Sequence, residues 1–268
     1  VAAADQQRDA QAEMPFLDHL EELRWRLIWS GAALLISFAI AFTVVYQFDF
    51  IAILAYPAHD FLKGGKLIYT HPAESFTILM QVAFALGIVL ASPVIAYQIW
   101  AFLSPALHPH EKRVVVPVLI GAVGLFLIGC TLSVLWVLPI TLELLGGIAS
   151  NSLQQMISAQ EYFSFAVSLT LAFGAVFELP ILIVALTALG LVTPGTLAKF
   201  RRHAFVGMLI LSAVITPGDL IISTLMLFIP LYGLYELSIV LSWFVYRAKR
   251  KKALREEEAE RRASASER

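Results

Sequence analysis

Residues 27–48 read LIWSGAALLISFAIAFTVVYQF, a run of 22 positions without a charge. A helix rising 1.5 Å per residue needs about 20 apolar residues to cross ~30 Å of hydrocarbon, so this run is a membrane span. The chain around it has the same character. Of 268 residues 59% are hydrophobic and only 15% are charged, with a mean hydropathy of +0.78. A water-soluble domain of this length has no interior large enough for that much apolar surface, so the bilayer is the solvent. The preceding residues, Val1 to Glu13, are polar and of mixed charge and lack the basic-then-apolar order of a cleaved leader. The first run is also too long for a leader's apolar core, and the expectation is a retained span.

Working outward, the same criterion predicts an all-α integral membrane protein with six transmembrane helices, at about 26–48, 76–99, 114–138, 162–190, 203–216 and 220–246, in one membrane domain covering 1–268. Residues 247–268 form a charged tail: a basic cluster followed by Glu256-Glu257-Glu258. It reads as a solvated helix end whose lysines touch anionic headgroups. The fifth and sixth spans are joined by the tight turn Thr216-Pro217-Gly218-Asp219. Their shortness predicts a thinned bilayer beside that hairpin. Prolines 93, 117, 180 and 230 interrupt spans two, three, four and six, each removing an amide donor, so kinked helices and a concave bundle are expected. No internal repeat is visible.

Orientation follows from the basic residues. Of 19 Lys and Arg, only Lys63 and Lys66 fall in the loops of one side. The rest share the other side with both termini, which the positive-inside rule makes cytoplasmic. The six histidines are scattered over both faces and propose no metal site. The single cysteine, Cys130, has no partner for a disulfide and reads as a small core residue. Nucleotide-binding, zinc-protease and serine- or aspartyl-protease signatures are all missing: Gly64-Gly65-Lys66 lacks the first glycine and the hydroxyl of a phosphate loop, and His110-Glu111 is followed by Lys-Arg-Val. The chain does not read as an enzyme, and no cofactor or nucleic acid is implied.

Two acids on the predicted cytoplasmic face stand out, Glu22 and Glu111, in Glu21-Glu22-Leu23-Arg24-Trp25-Arg26 and His110-Glu111-Lys112-Arg113. Acids so close to the lipid boundary are poor anchors and good receptors for cations. Glu21 and Glu22 differ by about 100° around a helix, and helical spacing lines Glu22 up with Asp18 and Arg26. The bland reading of each acid is a surface salt bridge to its own neighbours, worth ~0–1 kcal/mol. Glu178, two residues before Pro180, lies within the fourth span. An ionised carboxylate in lipid costs ~2.5 kcal/mol or more, so it is expected to face a wet groove or a partner. A protonated glutamate bonded across the bundle is the structural alternative, and Glu236 is placed near the cytoplasmic end without a role.

These residues belong to a wider pattern. His19-Leu20-Glu21-Glu22-Leu23-Arg24, then Ser92-Pro93 and Tyr97-Gln98-Ile99-Trp100-Ala101-Phe102-Leu103-Ser104-Pro105-Ala106-Leu107, then His110-Glu111-Lys112-Arg113, resemble the TatC family of twin-arginine translocase subunits. So do Ala172-Phe173-Gly174, Phe177-Glu178-Leu179-Pro180 and Thr216-Pro217-Gly218-Asp219, in order over about residues 15–247. The resemblance implies a six-span, glove-shaped receptor in a bacterial or archaeal cytoplasmic membrane. Such a receptor binds twin-arginine signal peptides of folded precursors, self-associates, and assembles with single-span partners of the TatA/TatB type. It implies export driven by the proton-motive force. Its signal-binding residues fall on Glu22, Glu111, His19, Arg24, Lys112 and Arg113, its intramembrane acid on Glu178, and its partner-docking positions on Thr216, Asp219 and Ser223. The rival reading is a proton- or ion-coupled small-solute transporter using Glu178, for which repeats and broken helices around a midplane site are expected.

Overall fold

The structure is a computed structural model and describes residues 2–61, 67–103, 115–147, 157–188, 190–215 and 222–266. The described chain is helical, apart from one isolated bridge between Ile68 and Ser158. The helices are α1 (Ala2–Gln47), α2 (Phe50–Phe61), α3 (Glu74–Leu103), α4 (Val115–Leu132), α5 (Leu138–Gly147), α6 (Ala159–Phe177), α7 (Leu179–Ala188), α8 (Pro194–Lys199), α9 (Arg201–Ile215) and α10 (Ile222–Ser266). A π-helical turn, Ser133–Val137, joins α4 to α5.

Among the described residues, five helical stretches are long and apolar enough to cross a bilayer: His19–Gln47, Glu74–Phe102, Val118–Glu143, Ala159–Ala188 and Leu227–Lys251. They fall on the expected spans one, two, three, four and six. The expected fifth span falls on α9, whose 15 residues rise only about 22 Å. The turn expected after it, residues 216–219, lies outside the described residues. Exposed side chains such as Leu27, Leu35 and Ile36 (71%, 71% and 63% accessible) cover the first span. Only a hydrocarbon solvent makes such a surface favourable.

The prolines act unequally. Pro180 coincides with a break, because Glu178 interrupts α6 and α7 as a single turn residue. Pro93 and Pro230 lie inside helices that continue past them. Pro117 falls in the first turn of α4 as described, where a missing amide donor costs little. The irregularity of the third span lies instead at the π turn.

Two compact units divide the chain, residues 1–53 with 71–123, and residues 54–70 with 124–268. In the first, α1 and α3 pack antiparallel through small residues. Ala41, Ala83 and Ala91 are fully buried, and a methyl group built on Gly87 would stand 3.0 Å from the Phe38 Cα. Helix backbones approach this closely in lipid only where side chains are small. Phe38 and Phe84 close the seam edge to face, with centroids 6.4 Å apart.

In the second unit, Ile68 exchanges backbone bonds with Ile157 and Ala159 (3.1 and 2.9 Å), and the Tyr162 hydroxyl donates to the Leu54 carbonyl at 2.6 Å. Those contacts fasten α2 and the segment after it to the start of α6. Ile183, Tyr235 and Ile239 form a core with Leu197, Ala204, Met208 and Tyr232, drawing α7, α8, α9 and α10 together. Local signals set the path between them. Gly190 has φ +79°, and the Leu191 amide reaches back to the Leu186 carbonyl at 3.0 Å, closing α7. Thr193 caps α8, its hydroxyl accepting from the Thr196 amide at 3.2 Å, with Pro194 in the first turn.

Candidate functional site

The described part of the candidate site lies in the first unit, where the upstream turns of α1 meet the end of α3. Helix α1 runs unbroken through residues 19–26 into the first span, so helical spacing operates there as expected. Glu21 is exposed and Glu22 half-buried. Arg26, one turn on, donates to Glu22 Oε1 through Nε at 3.0 Å and also through Nη2. Its third nitrogen, Nη1, donates to Gln98 Oε1 on α3 at 3.4 Å. His19 stacks on Phe102 of α3, with centroids 4.3 Å apart and planes 14° apart, and its Nδ1 stands 3.7 Å from Glu22 Oε2.

The two carboxylate oxygens of Glu22 therefore differ. Oε1 carries two guanidinium donors. Oε2 has His19 nearby but beyond hydrogen-bond length, so among the described residues it accepts no hydrogen bond. Arg24, expected to complete this patch, is exposed and has no partner among the described residues. Gln98 and Phe102 are the contributors that residue-by-residue reading did not single out. Both stand in the Tyr97-to-Leu107 stretch that carried the family resemblance, but nothing in that stretch says what they touch. Glu111, Lys112 and Arg113 lie outside the described residues, as do Thr216 and Asp219. Ser223 is in the first turn of α10, and its side chain is likewise outside the description.

Glu178 sits at the α6–α7 break, its amide bonded to the Ala175 carbonyl at 3.2 Å. Its carboxylate is half-buried and has no hydrogen-bond or ion-pair partner among the described residues. The expected alternative, a bond across the bundle, is not made there. Glu236 instead has two partners: Arg201 Nη2 at 2.8 Å and the Tyr232 hydroxyl at 3.0 Å.

The family model for the Sec-independent protein translocase protein TatC matches residues 18–230. The chain belongs to the TatC family. It is 39% identical to the Sec-independent protein translocase protein TatC of Aquifex aeolicus over 240 residues, covering 88% of this chain and 98% of that one. With TatCy of Bacillus subtilis it shares 36% identity over 240 residues, 89% of this chain and 92% of the other. A crystal structure of the twin-arginine translocase receptor TatC superposes with a TM-score of 0.76 at 39% identity, covering 85% of this chain and 99% of that one. This TatC chain is thus a multi-pass membrane protein and the core subunit of the Sec-independent twin-arginine translocase. It is a transport component and not an enzyme. The solute-transporter reading of Glu178 is not favoured.

Proposed function

We propose that this TatC chain receives the twin-arginine signal peptide of a folded precursor on Glu22 and Glu111, at the cytoplasmic face. The observation that carries the reading is the asymmetry of Glu22: one oxygen is hydrogen-bonded by Arg26, while the other, among the described residues, has only His19 at 3.7 Å. A guanidinium presents parallel N–H donors that an ammonium cannot match, and it sheds water more readily. Each charge-assisted bond contributes about 1.5–3 kcal/mol, so one lost arginine weakens binding by about tenfold or more. Two consecutive arginines require two acceptors, and Glu111, flanked by Lys112 and Arg113, is the second. The basic neighbours keep each patch from attracting every cation.

The reading extends to the rest of the chain. Both termini lie in the cytoplasm of a bacterial or archaeal cell, as the distribution of Lys and Arg supports. Six spans cross the cytoplasmic membrane, α9 being the fifth and too short for an unperturbed bilayer. Thr216, Asp219 and Ser223, between the fifth and sixth spans, dock single-span partners of the TatA/TatB type. Glu178, polar and without a partner among the described residues, hydrates the inner wall and meets the signal peptide or a partner helix. The proton-motive force supplies the energy, a reading that membership of the TatC family supports.

The test is site-specific crosslinking of a twin-arginine precursor to the membrane-inserted chain. Glu22→Ala or Glu111→Ala is expected to abolish the crosslink while insertion continues. Undiminished crosslinking returns both acids to ordinary surface ion pairs.

A further inference from the structure

Arg26 already places a guanidinium on Glu22 and is itself braced. Its Nε and Nη2 share Glu22 Oε1, while Nη1 is bonded to Gln98 at 3.4 Å, 72 positions away on α3. With donors committed at both ends, the guanidinium plane is fixed, and the Glu22 carboxylate is fixed with it. A lone Glu–Arg pair one helical turn apart is free to swing. This one is tied to a second helix.

The consequence concerns Oε2. An incoming arginine has two routes: it displaces Arg26 from Oε1, or it takes Oε2 while Arg26 stays. Displacement strands a half-buried guanidinium on Gln98 alone, giving up two charge-assisted bonds to make two. Joining at Oε2 keeps both, at an oxygen whose neighbour among the described residues is His19 Nδ1 at 3.7 Å, beyond hydrogen-bond length. We infer that Arg26, pinned by Gln98, is a positioning and specificity-determining residue that remains on Oε1 and aims Oε2 at the peptide. This rests on the proposed reading of Glu22 as a receptor.

Selectivity follows from the same geometry. The fixed positive charge beside the site repels every incoming cation alike. A guanidinium edge answers with two directed donors on Oε2, as Arg26 itself does on Oε1. An ammonium offers one donor along that line and surrenders more hydration. The repulsion is common to both, so the discrimination comes from the fixed aim of Oε2, which a guanidinium edge meets with two donors and an ammonium with one.

The experiment measures binding of a synthetic leader peptide carrying two arginines, and of its two-lysine counterpart, to the full chain in nanodiscs. Arg26→Gln is expected to weaken the two-arginine peptide and to lower the arginine-to-lysine preference by about tenfold, the equivalent of one charge-assisted bond. Gln98→Leu leaves the Glu22–Arg26 pair in place but removes its brace. It should move the preference in the same direction by less, and Arg26→Lys should fall between Arg26→Gln and the unaltered chain. Tighter binding of the two-arginine peptide to Arg26→Gln overturns the inference in favour of displacement. An unchanged preference in both Arg26→Gln and Gln98→Leu overturns it in favour of a bystander pair. Glu22→Gln separates the layers: if it abolishes binding while Arg26→Gln leaves the preference intact, the inference alone fails. If it leaves binding intact, the receptor reading fails and takes the inference with it.

Discussion

The hydroxyls of Thr187 and Ser242 lie 2.8 Å apart, both buried, and join α7 to α10. Thr187 also donates to the Ile183 carbonyl at 2.8 Å, so Ser242 is the donor across the interface. In lipid such a bond replaces no contact with water, yet its net worth is modest, because each serine or threonine freed from a neighbour falls back on its own helix.

A double-mutant cycle of Thr187→Val and Ser242→Ala is accordingly expected to give a coupling of about 0.5–1.5 kcal/mol. Thermal unfolding of the detergent-solubilised chain reads it. A coupling near zero means that the two hydroxyls do not hold the helices together.

Gly129 and Gly174 predict unequal costs for the same substitution. A methyl group on Gly129 meets the Phe173 carbonyl oxygen at 2.9 Å and the Phe177 ring at 2.8 Å. One on Gly174 meets only side chains, Phe126 at 2.7 Å and Cys130 at 2.8 Å. Side chains rotate away and a helical carbonyl does not. Gly129→Ala is therefore expected to destabilise by about 1–3 kcal/mol, and Gly174→Ala by less. Gly124→Ala, with nothing within 4 Å, is the control. The order of melting temperatures checks the argument.

Glu178 separates polarity from charge. With no partner among the described residues, its half-buried carboxylate is suited to holding water or an incoming helix in the span. Glu178→Leu is expected to abolish export of a twin-arginine precursor, and Glu178→Gln to reduce it while leaving a measurable rate. Export by Glu178→Gln at the unaltered rate removes any role for the charge.

Arg201 and Glu236 form an ion pair with side chains 48% and 34% exposed. Solvent screens such a pair, so Glu236→Gln should change stability by less than about 1 kcal/mol. A larger loss in thermal unfolding shows that the bridge between α9 and α10 is drier than its exposure implies.

The span pattern was legible because the bilayer imposes one rule on every residue facing it: about 20 apolar positions per crossing. That rule placed five of the six expected spans on long apolar helices, and it flagged α9 as short. Helical spacing likewise selected Glu22 over Glu21 and paired it with Arg26. Proline positions were a poorer guide. Pro180 marks a break, and the third span departs from α-helix at Ser133–Val137, two residues before Pro139, a proline just beyond the expected end of that span. The missing amide of Pro139 leaves the Leu135 carbonyl without its α-helical donor, which favours the wider turn there.

The sequence by itself determined the solvent, the succession of helices and the family, since hydropathy and motif order are properties of the chain read in line. Tertiary structure alone decided that Gln98 meets Arg26 and that His19 lies flat on Phe102, beside the second Glu22 oxygen. In a membrane the lipid-facing and protein-facing sides of a helix are equally apolar, so periodicity does not reveal which face packs. Small residues at close approach, Ala41, Ala83 and Gly87, set that register, and only the register of α1 on α3 brings position 26 to position 98.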